Sequence, residues 1–540
     1  MRVVLLVPTQ RSLLGAGARA LSAWLRARGH HVRILFLPAD ARLTRDRDGH
    51  LLAHFGLPPS VLAEVVAACA GAGLVGVSLL SCFFELACEL TRALKEARPE
   101  CPVVWGGIHP TVRPEECLEH ADYACLGQGE QALEELCAAL DGGGETTAIP
   151  NLWTRREGEI VRNPVRPAGP RMDALPTPDW ELDRHLTRDA RTGRLAPLTL
   201  ARFRASLHHV RAGRQRALRS LVFLGSRGCP HRCAYCGNSR YHELYGPSWG
   251  SDRLTVDRLV DELAELVARF PFIEEIELGD DDFAARPLEE IVRFCARVRP
   301  DVGRPFHLLT TPARVQPAQV EPLIEAGCVF FQVGIQSAWP ATLARYRRRD
   351  EREEVQRAAA LLASQVGRTA PPCYHVILDD PGEDLAASVA TLRFVNGLPR
   401  PFWLKRSGLV PYPGTPVHAL LASEGRLDPT EDRARVYPRV LTAVRPTPVA
   451  LAWRLLSDGA PPALVERLAQ HLQRREGGGP AMRALAPGVE RALVAVQQAR
   501  RWGHLGIGAL SRGDWSYLGE RVLARWTDRR HRLPTSVSPG

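Results

Sequence analysis

The sequence has no run of about 18 consecutive apolar residues, so no membrane-spanning helix is expected. It has no internal repeat and no low-complexity tract, which excludes solenoids and arrays. Its first residues, Met1-Arg2-Val3-Val4-Leu5-Leu6-Val7-Pro8, form too short an apolar run for a signal peptide, and no small-residue cleavage site follows. The cytoplasm is therefore the expected compartment. Lysine is nearly missing: Lys95 and Lys405 are the two among 70 basic residues. GC-rich coding produces such a bias without a functional cause.

What is present is globular. Hydrophobic residues make up 45% and charged residues 24% of 540, which excludes a disordered chain, a collagen and a coiled-coil rod. At roughly 150 residues per domain, three or four domains are expected. The net charge of +10 is unevenly spread. Residues 421–540 carry 19 Arg against 11 acids, and 201–220 carry six Arg and no acid. Such stretches can touch nucleic acid or an anionic substrate. A solvated Arg-rich helical face explains them equally, and nucleic acid is not the expected partner.

Residues 1–145 alternate short apolar runs, at 3–7, 32–37, 74–80, 102–105 and 123–126, with helical patterns. That alternation predicts a doubly wound parallel sheet of Rossmann-like type. Ligands of such sheets lie beyond the carboxyl ends of the strands. Small residues mark those ends: Gly76-Val77-Ser78, Gly106-Gly107 and Gly127-Gln128-Gly129-Glu130. Residues 146–220 read as a linker with one basic helix near 200–220. Six further βα units fill 221–420, with strands expected at 221–225, 275–278, 306–310, 329–335, 374–378 and 403–409. They predict a partial, open barrel with its site at the carboxyl ends of the strands. Residues 421–540 are expected to form a helical C-terminal extension.

The sharpest motif follows the first barrel strand: Gly228-Cys229-Pro230-His231-Arg232-Cys233-Ala234-Tyr235-Cys236. In a reducing compartment such clustered cysteines are metal or redox ligands. Three thiolates on one loop suit three irons of a [4Fe–4S] cluster, which ordinarily takes four cysteines. The fourth iron is then open, and an open metal position is where chemistry occurs. A zinc loop is the alternative, with His231 or His242 as fourth ligand. The other cysteines lack metal spacing and read as buried apolar residues.

The motif, with its aromatic before the last cysteine, resembles that of the radical S-adenosylmethionine (SAM) superfamily. The resemblance covers about 220–420. It implies that Cys229, Cys233 and Cys236 ligate the cluster, whose open iron chelates SAM, and that an electron cleaves SAM to a 5′-deoxyadenosyl radical. Tyr235 matches the aromatic near the adenine. Gly279, Asp280 and Asp281, within Leu278-Gly279-Asp280-Asp281-Asp282-Phe283, match the segment near the SAM amino group. Gln336 and Ser337, within Gly334-Ile335-Gln336-Ser337, match the segment near the ribose and carboxylate; Gln336 stands where Glu is common. Asp380-Pro381-Gly382-Glu383 and Pro411-Tyr412-Pro413-Gly414-Thr415-Pro416 resemble later strand-end loops.

Residues 1–145 resemble the cobalamin-binding domain that precedes many radical SAM domains. The residues carrying this are Ser78, Gly106, Gly107, His109, Gly127, Gly129 and Glu130, and their implied role is to hold the corrin ring and its nucleotide tail. The first βα loop, Pro8 to Gly15, has no Asp-x-His-x-x-Gly, so no lower cobalt ligand is assigned; a local hydrogen bond explains His109 as well as a cobalt does.

The resemblance as a whole is to cobalamin-dependent radical SAM enzymes, and most of all to methyltransferases acting on an unactivated carbon of a small molecule or natural-product intermediate. It implies methyl delivery by methylcobalamin, re-methylated by a second SAM. It also implies a reductase, flavodoxin or ferredoxin as electron donor. A radical SAM cyclase or oxidoreductase with the same two domains is the runner-up. A non-catalytic cobalamin- or RNA-binding protein is a further alternative, and it predicts that the three loop cysteines are dispensable.

Overall fold

The computed structural model describes residues 1–474 apart from 11, 168, 213–215 and 251. The first sheet has nine strands: β1 (Arg2–Thr9), β2 (His31–Pro38), β3 (Leu74–Ser78), β4 (Val103–Gly106), β5 (Tyr123–Cys125), β6 (Leu152–Arg156), β7 (Glu159–Arg162), β8 (Leu186–Arg188) and β9 (Leu195–Pro197). Their spatial order is β9-β8-β2-β1-β3-β4-β5-β6-β7. The strands from β2 to β5 are parallel. A parallel sheet is covered on both faces, so its strands need continuous apolar runs. Val3, Val4, Leu5, Leu6 and Val7 of β1 are all buried, split between two cores on opposite faces. Each such side chain contributes about 1.5–3 kcal/mol on burial. The order β2-β1-β3-β4-β5 reverses direction between β1 and β3, and ligands of open α/β sheets bind at that switch point.

The second sheet has seven strands in sequential order: β10 (His208–Ala212), β11 (Arg216–Phe223), β12 (Glu275–Leu278), β13 (Phe306–Thr310), β14 (Cys328–Gln336), β15 (Cys373–Leu378) and β16 (Trp403–Gly408). From β11 to β16 all pairs are parallel. Helices Val256–Arg269, Leu288–Asp301, Pro317–Glu325, Arg352–Ser364 and Leu385–Asn396 follow the strands in turn. This is the open (β/α)6 barrel expected from sequence. Leu221, Phe223, Ile276, Leu278, Phe306, Leu308, Val333, Ile335, Val376 and Leu404 all join the apolar core that packs the helices. The alternate residues face the lumen, because side chains alternate along a strand.

The 146–220 stretch differs from its reading as a linker. It contributes β6 to β9 to both edges of the first sheet and β10 with most of β11 to the second. The basic helix is only Leu200–Ser206. The rest of that Arg-rich stretch pairs as an antiparallel hairpin, Val210 against Leu218. Charge on edge strands is how a sheet avoids pairing with other chains, and it hid these strands from an apolar-run reading.

Beyond the barrel, helices Pro416–Ser423, Pro448–Ser457 and Pro462–Arg474 are present, while 475–540 lie outside the described residues. Between the first two, the chain runs back to the N-terminal domain. Leu52 bridges Arg439, and Ala53 donates to the Pro438 carbonyl at 2.7 Å. Arg433 pairs with Glu116 and Glu119, and Arg113 with Asp432 at 2.8 Å. Among the described residues no helix is long and apolar enough to cross a membrane.

Candidate functional site

The cysteine loop leaves the carboxyl end of β11. Cys229 and Cys233 are buried and Cys236 is half-buried. Gly228 has φ +82, and a Cβ there would lie 2.6 Å from Trp249 Nε1, so the loop needs glycine to turn beneath that indole. Asn238 Nδ2 lies 3.7 Å from Cys236 Sγ, and Arg348 Nη1 lies 3.8 Å from Cys233 Sγ. Both are donors aimed at sulfur. Burial pushes the Cys236 thiol up to about 11 and Cys229 higher still. Thiols so placed stay protonated unless a cation takes the proton's place, and coordination to iron does this.

Both candidate fourth zinc ligands have protein partners. His231 Nε2 lies 2.8 Å from Asp282 Oδ2, and His242 Nε2 lies 2.8 Å from the Cys229 carbonyl. Among the described residues the metal-type donors that converge within 4.8 Å of one another are Asp46, Asp48 and His50, not the three cysteines. A single zinc with bonds of about 2.3 Å would need them that close. The donor set fits a cluster rather than one ion.

The acidic triplet after β12 divides its labour. Asp280 is buried: its Oδ1 accepts from Gly225 N–H at 2.6 Å, and Arg286 lies 3.5 Å from its Oδ2. This carboxylate, expected at the SAM amino group, ties two strand ends together. Asp282 is buried too, and accepts from Thr310 Oγ1 at 2.9 Å besides holding His231. Asp281 is walled by protein yet open to solvent, and Asn238 Nδ2 donates to it at 2.7 Å. It is the carboxylate that faces the cleft, and burial raises its pKa. Gly279 packs on β11: a Cβ there would meet Val222 at 2.6 Å.

Tyr235 stands edge-on to Tyr346, ring centroids 5.0 Å apart, and its hydroxyl lies 3.4 Å from Arg348 Nη1. Arg348 also donates to the Gly334 carbonyl at 2.8 Å and pairs with Asp350 at 2.5 Å. It thereby links the cysteine loop to β14. Sequence reading missed Arg348, because a cation twelve residues past a strand end carries no local signal. Gln336 ends β14 at φ +66, in the left-handed region that is uncommon for a residue with a side chain. Ser337 turns inward: its hydroxyl lies 3.1 Å from Thr391 Oγ1 and 3.4 Å from Glu383 Oε1. It ties the turn after β14 to these two side chains.

In the first sheet, Ser78, Gly106 and Gly127 lie at or just past the ends of β3, β4 and β5. Gly107 has φ +110, and a Cβ there would sit 2.9 Å from the Leu79 carbonyl oxygen, so the two strand-end loops touch backbone to backbone. Gly106 is freer: its nearest neighbour would be Cys125 Cβ at 3.7 Å. Gly129 precedes helix Glu130–Gly142 and packs near Leu21 and Leu133.

Three residues of the expected cobalamin set have protein partners. His109 is fully buried; its Nδ1 lies 3.0 Å from Ser81 Oγ, and its ring packs on Phe84 and Tyr437. Burial pulls its pKa down to about 3, so the ring is neutral. At Gly127, φ +71, a Cβ would lie 1.9 Å from the Tyr245 hydroxyl, which instead accepts from Gln128 N–H at 2.7 Å. Glu130 pairs with Arg227 at 2.5 Å. Gly127 and Glu130 are thus contacts between the two domains. With Ile108, whose Cδ1 would be 3.3 Å from a Cβ on Gly237, they set the strand ends of the first sheet against the cysteine loop. Tyr241, Tyr245 and Trp249 stack along this juncture, with centroids 4.6 Å and 5.2 Å from Trp249.

Comparison with known proteins agrees with this layout. The B12 binding domain model matches residues 4–137, and the Radical SAM superfamily model matches 224–395. The chain carries a radical SAM domain with a B12-binding domain ahead of it. These two domains imply a [4Fe–4S] cluster, SAM and cobalamin. Among curated proteins, the chain is similar to the cobalamin-dependent radical SAM methyltransferase TokK of Streptomyces tokunonensis, with 28% identity over 53% of this chain and 40% of that protein. It is also similar to the anaerobic magnesium-protoporphyrin IX monomethyl ester cyclase of Synechocystis, with 28% identity over 34% of this chain and 33% of that one. The chain therefore spans less than half of either relative. Its fold resembles that of the radical SAM methyltransferase TsrM of Kitasatospora setae, solved with tryptophan and a SAM analogue, with TM-score 0.59, 21% identity, and 78% of this chain against 76% of that one.

Proposed function

We propose that the protein is a cobalamin-dependent radical SAM methyltransferase that adds a methyl group to an unactivated carbon of a small molecule. The observation that carries this reading is the juncture: glycine-lined strand ends of the first sheet meet a three-cysteine loop with no fourth ligand, across Arg227–Glu130 and Tyr245–Gln128. When bound, the cluster with SAM supplies a hydrogen-abstracting radical and cobalamin supplies the methyl group.

The chain's own residues hold, orient and exclude. Cys229, Cys233 and Cys236 are the cluster ligands. Asp281, the cleft-facing acid, would meet the ammonium of SAM, with Asn238 fixing its orientation. Tyr235, held by Arg348, offers the adenine a ring edge. Gln336 sits where the left-handed turn opens the end of β14. Ser78, Gly106, Gly107 and Gly129 let a corrin approach the backbone of the first sheet. No side chain of this set is a lower cobalt ligand. The stacked Tyr241, Tyr245 and Trp249 close the back of the juncture against water. A separate electron donor completes the requirement: among the described residues no three cysteines of the first domain converge as a metal group would need.

The test is anaerobic reconstitution with iron, sulfide, cobalamin, SAM and a reductant. Joint formation of 5′-deoxyadenosine and S-adenosylhomocysteine supports methylation. The relationship to the ring-forming cyclase favours a second reading, oxidation or cyclisation without methyl transfer. Deoxyadenosine alone, with no methyl gain in product mass, would select that reading.

A further inference from the structure

The lumen of the barrel is polar, and the cofactor layout does not use it. Facing inward below the strand ends are Glu275 and Glu277 on β12, His307 on β13, Gln332 on β14, His375 on β15 and Lys405 on β16, with His208 of β10 beside them. Most of these are already paired. His307 Nδ1 lies 2.5 Å from Glu275 and its Nε2 3.6 Å from Glu277. His208 Nε2 lies 3.1 Å from Glu277. His375 Nε2 donates to Gln332 Oε1 at 2.9 Å. Burial and Lys405 pull the His375 pKa down to about 3, so this ring is neutral.

Lys405 differs. It feels the fields of Glu277, His307, Cys373 and His375. Residues of β12 and β13 can reach a β16 side chain only across the lumen. Yet among the described residues no ion pair or hydrogen bond engages its ammonium, whereas Lys95, the other lysine, pairs with Asp122 at 2.6 Å. Lys405, His375 and Glu277 are all partly open to solvent while the alternate residues Leu404, Tyr374, Val376 and Ile276 are buried. The lumen-facing side of these strands is thus partly open to solvent at Lys405. Lys405 lies three residues before the end of β16, or about 10 Å below the strand ends at roughly 3.3 Å per residue.

We propose that Lys405 is a substrate anchor, binding a carboxylate of the substrate inside the barrel lumen. This rests on the reading of the barrel as the catalytic domain. The geometry favours a carboxylate over a phosphate. One unpaired ammonium balances one negative charge, and the Glu277 carboxylate across the lumen opposes a dianion. His375 contributes a neutral rim and no second cation. A lysine suits the place because its ammonium is a compact point charge on a slim stem.

The test uses the reconstituted full chain and two-lysine labelling. N-hydroxysuccinimidyl acetate, a neutral reagent, is applied, and acetylation of Lys405 and Lys95 is followed by peptide mass spectrometry. Benzoate at about ten times its dissociation constant should slow Lys405 labelling roughly ten-fold and leave Lys95 unchanged. Benzamide should protect neither lysine, and phenyl phosphate should protect Lys405 less than benzoate does. Lys405→Met should lose benzoate binding by saturation-transfer NMR, and Lys405→Arg should keep it. Equal labelling with and without benzoate, or benzoate binding unchanged in Lys405→Met, would overturn the proposal. Stronger protection by phenyl phosphate would overturn the carboxylate assignment. Deoxyadenosine formation by the wild-type preparation is measured in parallel. Protection of Lys405 without deoxyadenosine would sink the radical SAM activity while leaving the anion site standing.

Discussion

Replacing Gly127 by alanine tests the juncture that brings the two domains together. Two effects add. The backbone at φ +71 is left-handed, which costs about 1–2 kcal/mol with a side chain. The new methyl would also lie 1.9 Å from the Tyr245 hydroxyl, so that hydroxyl must leave the Gln128 N–H. An amide hydrogen bond lost in a buried setting costs about 1–3 kcal/mol. Gly127→Ala should therefore destabilise by about 2–5 kcal/mol. In a Tyr245→Phe background the nearest atom is gone and the hydrogen bond is already lost. The same Gly127→Ala change should then cost about 1–3 kcal/mol less, the hydrogen-bond part, while the backbone term and a ring contact, Cζ at 2.9 Å from the new Cβ, remain. Urea melts of the four variants give the coupling directly. Equal cost of Gly127→Ala in both backgrounds would refute the claim that Tyr245 occupies this position.

Other residues carry further expectations. Burial raises the Glu383 carboxyl to about 7, opposed by hydrogen bonds from Thr342 and Ser337, with Asp380 raising it further and Arg345 lowering it. A folded-state pKa above the unfolded one makes stability fall as pH rises between about 4.5 and 7. Glu383→Gln should flatten the melting temperature across that window, and an unchanged slope would contradict the assignment. Arg19 is fully buried and donates to the carbonyls of Leu13, Leu14 and Asp179, at 3.0, 2.7 and 2.6 Å. Arg19→Leu would orphan three carbonyls and should destabilise by about 3 kcal/mol or more, read by denaturant midpoint at constant slope.

Legibility of the sequence followed interaction range. The barrel strands β12 and β13 fell at the expected residues, since alternation in Glu275-Ile276-Glu277-Leu278 is a local signal. The cysteine loop was legible for the same reason: three ligands within eight residues need no long-range information. The hairpin of β10 and β11 was not, because its paired strands are rich in arginine and read as a helical face. The return of residues 432–440 to Leu51–Ala53 joins segments far apart in sequence, and no local pattern announces it. Resemblance marked Asp280, Ser337, His109 and Glu130 by local motif, and their protein partners Gly225, Thr391, Ser81 and Arg227 come from other segments that no local pattern announces.

The most direct measurement is metal content joined to electron paramagnetic resonance on anoxically reconstituted protein. The account predicts about four irons per chain and a reduced-cluster signal that shifts when SAM is added, with both lost in Cys233→Ala. One zinc per chain, or a cluster signal indifferent to SAM, would contradict the open iron on which the account stands.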